Sequence, residues 1–161
     1  MKGKVILYEF ARWLAVALAF VYLFSIFGGN TASSAKAEDV TAAVTEVLDM
    51  SNMVQAENQM IKRLYGLDPA AYESCVLYYP NTNMGAEELL IVKLSDMSQQ
   101  DAVRAAAEKR LATQKTTFEG YGVEQFDLLT NHSILEVRGN YILFVVHNSC
   151  NEAQKAFLGA L

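Results

Sequence analysis

At 161 residues the chain has room for one domain plus a short additional segment, which excludes a two-domain architecture. Hydrophobic residues make up 52% and charged residues 19%, with only two prolines, so extended disorder is excluded and a real core is available. The net charge of −5 is unevenly spread: Lys2, Lys4, Arg12 and Lys36 against Glu9 give +3 over residues 1–37, and residues 38–161 therefore carry −8, an acidic body that argues against nucleic acid as a partner and against lying flat on anionic lipid.

The basic N-terminal residues precede an uncharged stretch from Trp13 to Ala35 whose apolar centre is Trp13–Phe27. Two readings fit it. A retained membrane helix needs about 17–25 apolar residues to cross a hydrocarbon core of roughly 30 Å, and Trp13–Gly29 just reaches that length. A cleaved signal peptide needs a small-x-small site, which Ala35-Lys36-Ala37 supplies. The distance of that site from the apolar core, the long basic region and the position of Trp13 favour the retained anchor, with secretion after cleavage near Ala37 as the alternative. Both readings leave the positive flank in the cytoplasm and export the body. No cysteine lies near the segment, so lipid attachment through a lipobox is excluded. The expected organisation is an anchor or signal segment over 1–29, a small, polar tether over 30–38 and an extracytoplasmic domain over 39–161.

Within the body, Asp39 is placed to cap a helix carrying Val40, Val44, Val47 and Leu48 at helical spacing. A second apolar set at Met53, Met60, Ile61 and Leu64 continues the helical region, which Gly66 and Asp68-Pro69 end. Ser74–Tyr79 reads as a strand, Pro80–Asn83 as a turn, and Glu87–Leu94 as a strand. The run Leu89-Leu90-Ile91-Val92 is apolar on both faces, the mark of a central strand covered from both sides. Ser98 opens a long helix through about Tyr121, ended by Gly120 and Gly122. Ser133–Arg138 and Tyr141–His147 form a hairpin about Gly139-Asn140, and Asn151–Leu158 closes the chain as a short helix. The fold class is α+β: an antiparallel sheet of about four strands, in two hairpins, with helices packed against it.

Several local patterns make the chain resemble a bacterial family, domain-of-unknown-function family 4358, from Asp39 onward. They are Tyr65-Gly66-Leu67-Asp68 before the first strand, Ala86-Glu87-Glu88-Leu89 and Ile91-Val92-Lys93 in the second, Arg110, Gln114, Phe118 and Tyr121 along the long helix, and Gly139-Asn140-Tyr141 in the last hairpin. The resemblance implies a cell-envelope protein of a Gram-positive bacterium. It brings no known activity, and this chain departs from lipoprotein-type members in lacking the N-terminal cysteine.

The long helix carries the most informative constellation. Val103, Ala107, Arg110, Gln114, Phe118 and Tyr121 share one face, where Arg110 and Gln114 interrupt an apolar row. A buried arginine needs an acceptor, and Glu87 or Glu88 is the natural one. The cluster Arg110, Gln114, Glu87, Glu88 and Tyr121 is thus the candidate ligand site or structural polar cluster. Adjacent Glu87 and Glu88 point to opposite strand faces, so they do not flank one substrate atom as paired carboxylates. Cys75 and Cys150, the only cysteines, form either a disulfide tying the two hairpins together or two partly buried thiols. His132 and His147 lack further ligands at metal spacing, so no metal or cofactor is expected. The aromatic side chains Tyr72, Tyr78, Tyr79, Phe118, Tyr121 and Phe126 are core or, in part, the lining of a groove. No catalytic motif appears. The expectation is a membrane-anchored extracytoplasmic module that binds a protein, peptide or cell-envelope component without catalysis. The alternative is a small-ligand receptor or enzyme using Arg110, Gln114 and a facing carboxylate. An accessory role beside another membrane protein is a third option.

Overall fold

The computed structural model describes residues 12–16, 18 and 31–161, and the chain divides into two compact units, Met1–Thr31 and Ala32–Leu161. In the first unit residues 12–16 and 18 are helical. Their apolar side chains Trp13, Leu14, Val16 and Leu18 are exposed, and the Arg12 guanidinium lies over the Trp13 ring at 5.8 Å. The expected anchor over 1–29 falls almost wholly outside the described residues. Among the described residues no helix is long and apolar enough to cross a membrane.

The second unit opens with α1 (Ala37–Glu46). Its N-cap is Lys36, without a side-chain cap bond, and Asp39 sits inside the first turn rather than capping it. There its negative charge complements the helix N-terminus. The expected second helical stretch is split. Met53 belongs to a short strand, β1 (Met53–Gln55), and the helix proper, α2 (Asn58–Tyr65), starts after Glu57 and ends on Gly66 at φ 70°, where glycine carries no Cβ penalty. Asp68 caps the following 3₁₀ turn, Pro69–Ala71, by accepting from the Ala70 N–H.

Strands β2 (Ser74–Pro80) and β3 (Glu88–Lys93) follow. Asp96 and Gln99 form a capping box that leads into α3 (Gln100–Phe118). This helix ends three residues short of Tyr121, and a further helix missing from the sequence reading, α4 (Val123–Asn131), starts at once. Strands β4 (Ser133–Arg138) and β5 (Tyr141–Val146) form the expected hairpin. Gly139, at φ 56°, takes its first turn position, as a type II′ turn demands. The last helix is α5 (Cys150–Gly159).

The sheet has five antiparallel strands in the order β1-β2-β3-β5-β4, one more than expected. The added strand is β1, whose three residues are too few for a period-2 pattern and which pairs Met53 with Pro80 and Gln55 with Tyr78. β3 and β5 occupy the centre, and all six residues of each are buried. Alternation sends Leu90, Val92, Ile142, Phe144 and Val146 to one face, against Ile61 and Tyr65 of α2, Val103, Ala107 and Phe118 of α3, and Leu129 of α4. It sends Leu89, Ile91, Tyr141, Leu143 and Val145 to the other, against Val40 and Val44 of α1 and Cys150, Ala153 and Phe157 of α5. The result is an α+β domain of three layers, with one core on each side of the sheet.

Part of the expected tether is built into this domain. The Asn140 side chain accepts from the Ser33 N–H at 2.7 Å, and the Ser33 hydroxyl donates to the Leu161 carbonyl at 2.9 Å. The Ala35 carbonyl accepts from Tyr141 Oη at 2.7 Å and from Lys93 Nζ at 3.0 Å. Lys93 also pairs with Glu73 at 2.6 Å.

Of the two readings of the cysteines, the two-core arrangement favours the free thiols. Cys75 packs into the core beneath α2 and α3, Cys150 into the core beneath α1 and α5, and both are free. The sheet stands between them, and side chains on opposite faces of a sheet cannot approach disulfide distance. Burial pushes the Cys75 thiol up to about 12, so it is a poor nucleophile at neutral pH.

Two outcomes follow from this packing. Leu90→Ala, at a fully buried central position, costs about 2–5 kcal/mol in a denaturant titration, whereas Val54→Ala on the edge strand, 40% exposed, shifts stability by about 0.5 kcal/mol or less. Alkylation of unfolded, unreduced protein adds two labels by mass; zero labels would overturn the free-thiol assignment.

Candidate functional site

The polar cluster is built on Glu88, the first residue of β3. Strand alternation puts its side chain in the same row as Leu90 and Val92, on the face covered by α2 and α3. Its solvent exposure is 0%, so a carboxylate has been taken out of water and requires donors. α3 supplies most of them. Arg110 donates from Nε to both oxygens at 3.1 and 3.2 Å and from Nη2 to Oε2 at 2.8 Å. Gln114, one turn on, donates from Nε2 to Oε2 at 2.9 Å. α2 supplies the last: Tyr65 donates its phenol proton to Oε1. The side chain that sequence left as one of two possibilities is thus Glu88, and Arg110 and Gln114 do meet it.

The other members of the expected cluster lie elsewhere. Glu87 precedes β3 and lines a separate groove of about 540 Å³, with Glu124 and Asp127. Tyr121 is 60% exposed; because the helix stops at Phe118, the i+3 step that would bring it onto the cluster face is not made. Its ring rests on that of Phe118 at 5.9 Å instead. Tyr65 is the member that sequence reasoning missed. It stands four residues after Ile61, on the buried face of α2, and a buried tyrosine needs a partner for its hydroxyl.

The electrostatics follow from burial. Desolvation and then the neighbouring Glu88 charge push the Tyr65 phenol well above its ordinary value of 10.0, so it remains a donor. Desolvation opposes the Arg110 charge, but the Glu88 bonds and charge outweigh it and hold its proton more tightly than usual. Arg110 and Glu88 form a pair whose side chains are 16% and 0% exposed.

Arg110 also reaches the surface. It lines two shallow grooves, one of about 200 Å³ shared with Gln114, Tyr79 and Asn83, and one of about 240 Å³ shared with Lys62, Lys109 and Thr113. Arg63 and Leu64 line both. The Gln114 carbonyl oxygen is buried without a donor. The amide cannot flip to relieve it, because Nε2 is needed by the acceptor-only carboxylate. Of the candidate aromatics, Tyr79 and Phe118 line the first of these grooves, whereas Tyr78 lies on the opposite face of the sheet and Phe126 on α4. Among the described residues no group of three or more His, Cys, Asp or Glu is arranged to hold a metal ion. His147 accepts from the Ser149 N–H through Nδ1.

Removing one partner of this pair strands the other. Arg110→Ala leaves a buried carboxylate without its counter-charge and lowers unfolding free energy by about 3–5 kcal/mol. Tyr65→Phe removes one neutral donor and costs about 1–3 kcal/mol. The raised Tyr65 phenol also sets a pH dependence. The unfolded chain ionises this group above 10.0 while the folded chain keeps it protonated. Its contribution is therefore complete below that pH and is lost as pH rises toward the folded value. Denaturant titrations across the alkaline range show a component of decline in the wild type that Tyr65→Phe lacks.

No curated protein and no solved structure matches the chain significantly. A family match covers residues 46–147, from the end of α1 to just past β5, and so contains the whole sheet and the Glu88 cluster. The chain belongs to the domain-of-unknown-function family DUF4358.

Proposed function

We propose that the chain is a membrane-anchored extracytoplasmic module that binds a protein, peptide or cell-envelope component through the α2–α3 surface, without chemical turnover. The observation that carries the binding reading is the state of Glu88. Both carboxylate oxygens are occupied by Arg110, Gln114 and Tyr65, which suits a fixed scaffold better than an acid or base that must exchange protons with a substrate. That scaffold holds Arg110 in the walls of two open grooves. The anchoring part of the proposal is supported by the basic flank and apolar run of residues 1–29 and by the exposed apolar side chains of Trp13, Leu14, Val16 and Leu18. A second reading, a small-ligand receptor or enzyme, is favoured by the unpartnered Gln114 oxygen beside Arg110.

Two measurements on the full chain test the proposal. With a C-terminal tag in a Gram-positive host, protease added to intact cells removes the tag; protection until lysis would overturn the outward topology. Detergent-solubilised chain co-sediments with purified cell walls and releases no soluble fragments. Fragment release would favour the enzyme reading, and failure to sediment would remove the wall as the ligand.

A further inference from the structure

We infer that the α2–α3 grooves form a recognition site for a phosphate- or carboxylate-bearing polyol, with Arg63 and Lys109 as its principal charges and Arg110 as its fixed floor. The inference rests on the proposed binding role of this surface and names the chemistry it recognises.

The charge pattern is the first support. Residues 38–161 carry −8, yet neither groove has an acidic residue in its lining. Instead α2 contributes Lys62 and Arg63 and α3 contributes Lys109 and Arg110. Two of these four are balanced by carboxylates: Lys62 by Asp68 at 3.1 Å and Arg110 by Glu88. Among the described residues Arg63 and Lys109 form no ion pair with any carboxylate. On an acidic body, two uncompensated cations meeting along one groove attract an anion locally even though the net field repels it at long range.

The geometry is the second support. Glu88 engages Nε and Nη2 of Arg110, which leaves Nη1 directed away from the pair. A guanidinium fixed in this way donates to an oxyanion without losing further side-chain entropy. Gln114 is the third support. It is 4% exposed and lines the groove that Arg110 and Arg63 share. Its Oε1 is an acceptor still lacking a donor and is covered in the unliganded fold, so a hydroxyl-bearing ligand supplies one only after a small shift of the side chain toward the groove. An oxyanion for Arg63, Lys109 and Arg110, together with a hydroxyl for Gln114, defines the ligand class. Envelope polymers of polyol phosphate and of acidic sugars both carry this combination.

The test uses the full chain in detergent and three probes in calorimetric titration: glycerol phosphate, glucuronate and glycerol. Saturable binding of at least one charged probe is expected, weakening as salt is raised, with none for glycerol. The charged probe that binds better identifies the source of the anion. Arg63→Ala and Lys109→Ala, both exposed and outside the Glu88 cluster, each weaken binding roughly tenfold, the loss of about one charge-assisted hydrogen bond. Arg104→Ala, a basic residue outside both grooves, leaves it unchanged. Binding of neither charged probe, or binding unaltered in the Arg63→Glu/Lys109→Glu double variant, overturns the inference. If that double variant still sediments with cell walls, the anion site falls while the broader binding role stands.

Discussion

A carboxylate with no exposed surface sits at the start of the central strand, and the packing of one whole face follows from the need to satisfy it. Glu88 cannot keep its charge in a hydrocarbon setting unless donors converge on it. They come from two different helices: Tyr65 from the last turn of α2, Arg110 and Gln114 from successive turns of α3. The bonds therefore fix where α2 ends, the rotation of α3 about its axis, and the position of both against β3. Apolar contact alone is less selective, because Val103, Ala107 and Phe118 would tolerate small slides along the sheet. A buried ion pair contributes little net stability, since desolvation offsets most of its attraction. Its effect here is on register.

That arrangement ties the interior to the surface. The arginine that neutralises Glu88 also lines two grooves, so a residue of the groove walls is held by bonds made inside. The opposite face of the sheet has its own clasp. Lys93, at the other end of β3, pairs with Glu73 and reaches the Ala35 carbonyl, which Tyr141 also engages. One strand thus carries a buried charge at each end. Glu88 orders α2 and α3 on one face, and Lys93 secures the incoming chain before α1 on the other. The hydrogen bonds of Ser33 and Ala35 join the chain before α1 directly to the hairpin and the central strand.

Much of this was open to reading from sequence wherever a pattern was long or chemically sharp. The uninterrupted apolar run of β3 marked a central strand because only a strand covered on both faces needs no polar alternation. Gly139-Asn140 marked the hairpin, and Gly66 the end of α2, because positive φ is cheap only for glycine. Arg110 and Gln114 stood out as polar residues in an apolar row. The misses have equally definite causes. β1 has three residues and exists through its pairing with β2, a tertiary effect. α4 is nine residues long and lies between Gly122 and His132, where turn signals outweighed its periodicity. Tyr121 was carried onto the cluster by extending helical spacing past the real end of α3. Tyr65 was overlooked because a tyrosine next to a helix stop gives no sign, in one dimension, of facing a strand more than twenty residues away. The cysteines posed the same problem. Spacing cannot reveal that a sheet separates them.

The separation of charge on this domain now has a structural basis. Glu87, Glu124 and Asp127 line one groove that has no Lys or Arg in its lining, while the grooves beside Arg110 contain no carboxylate in theirs. If Arg110 served packing alone, a hydrophobic pair in place of Arg110 and Glu88 would hold α3 to β3 as well or better. The buried pair adds something a hydrophobic pair cannot: a cation fixed in position at a surface groove, with its counter-charge hidden beneath it. Arg63 and Lys109 then supply the charge that Glu88 does not cancel. The inward carboxylate and the outward basic grooves are two sides of one arrangement, in which the interior charge orients the cation and, under the proposed binding role, the surface charges select what it meets.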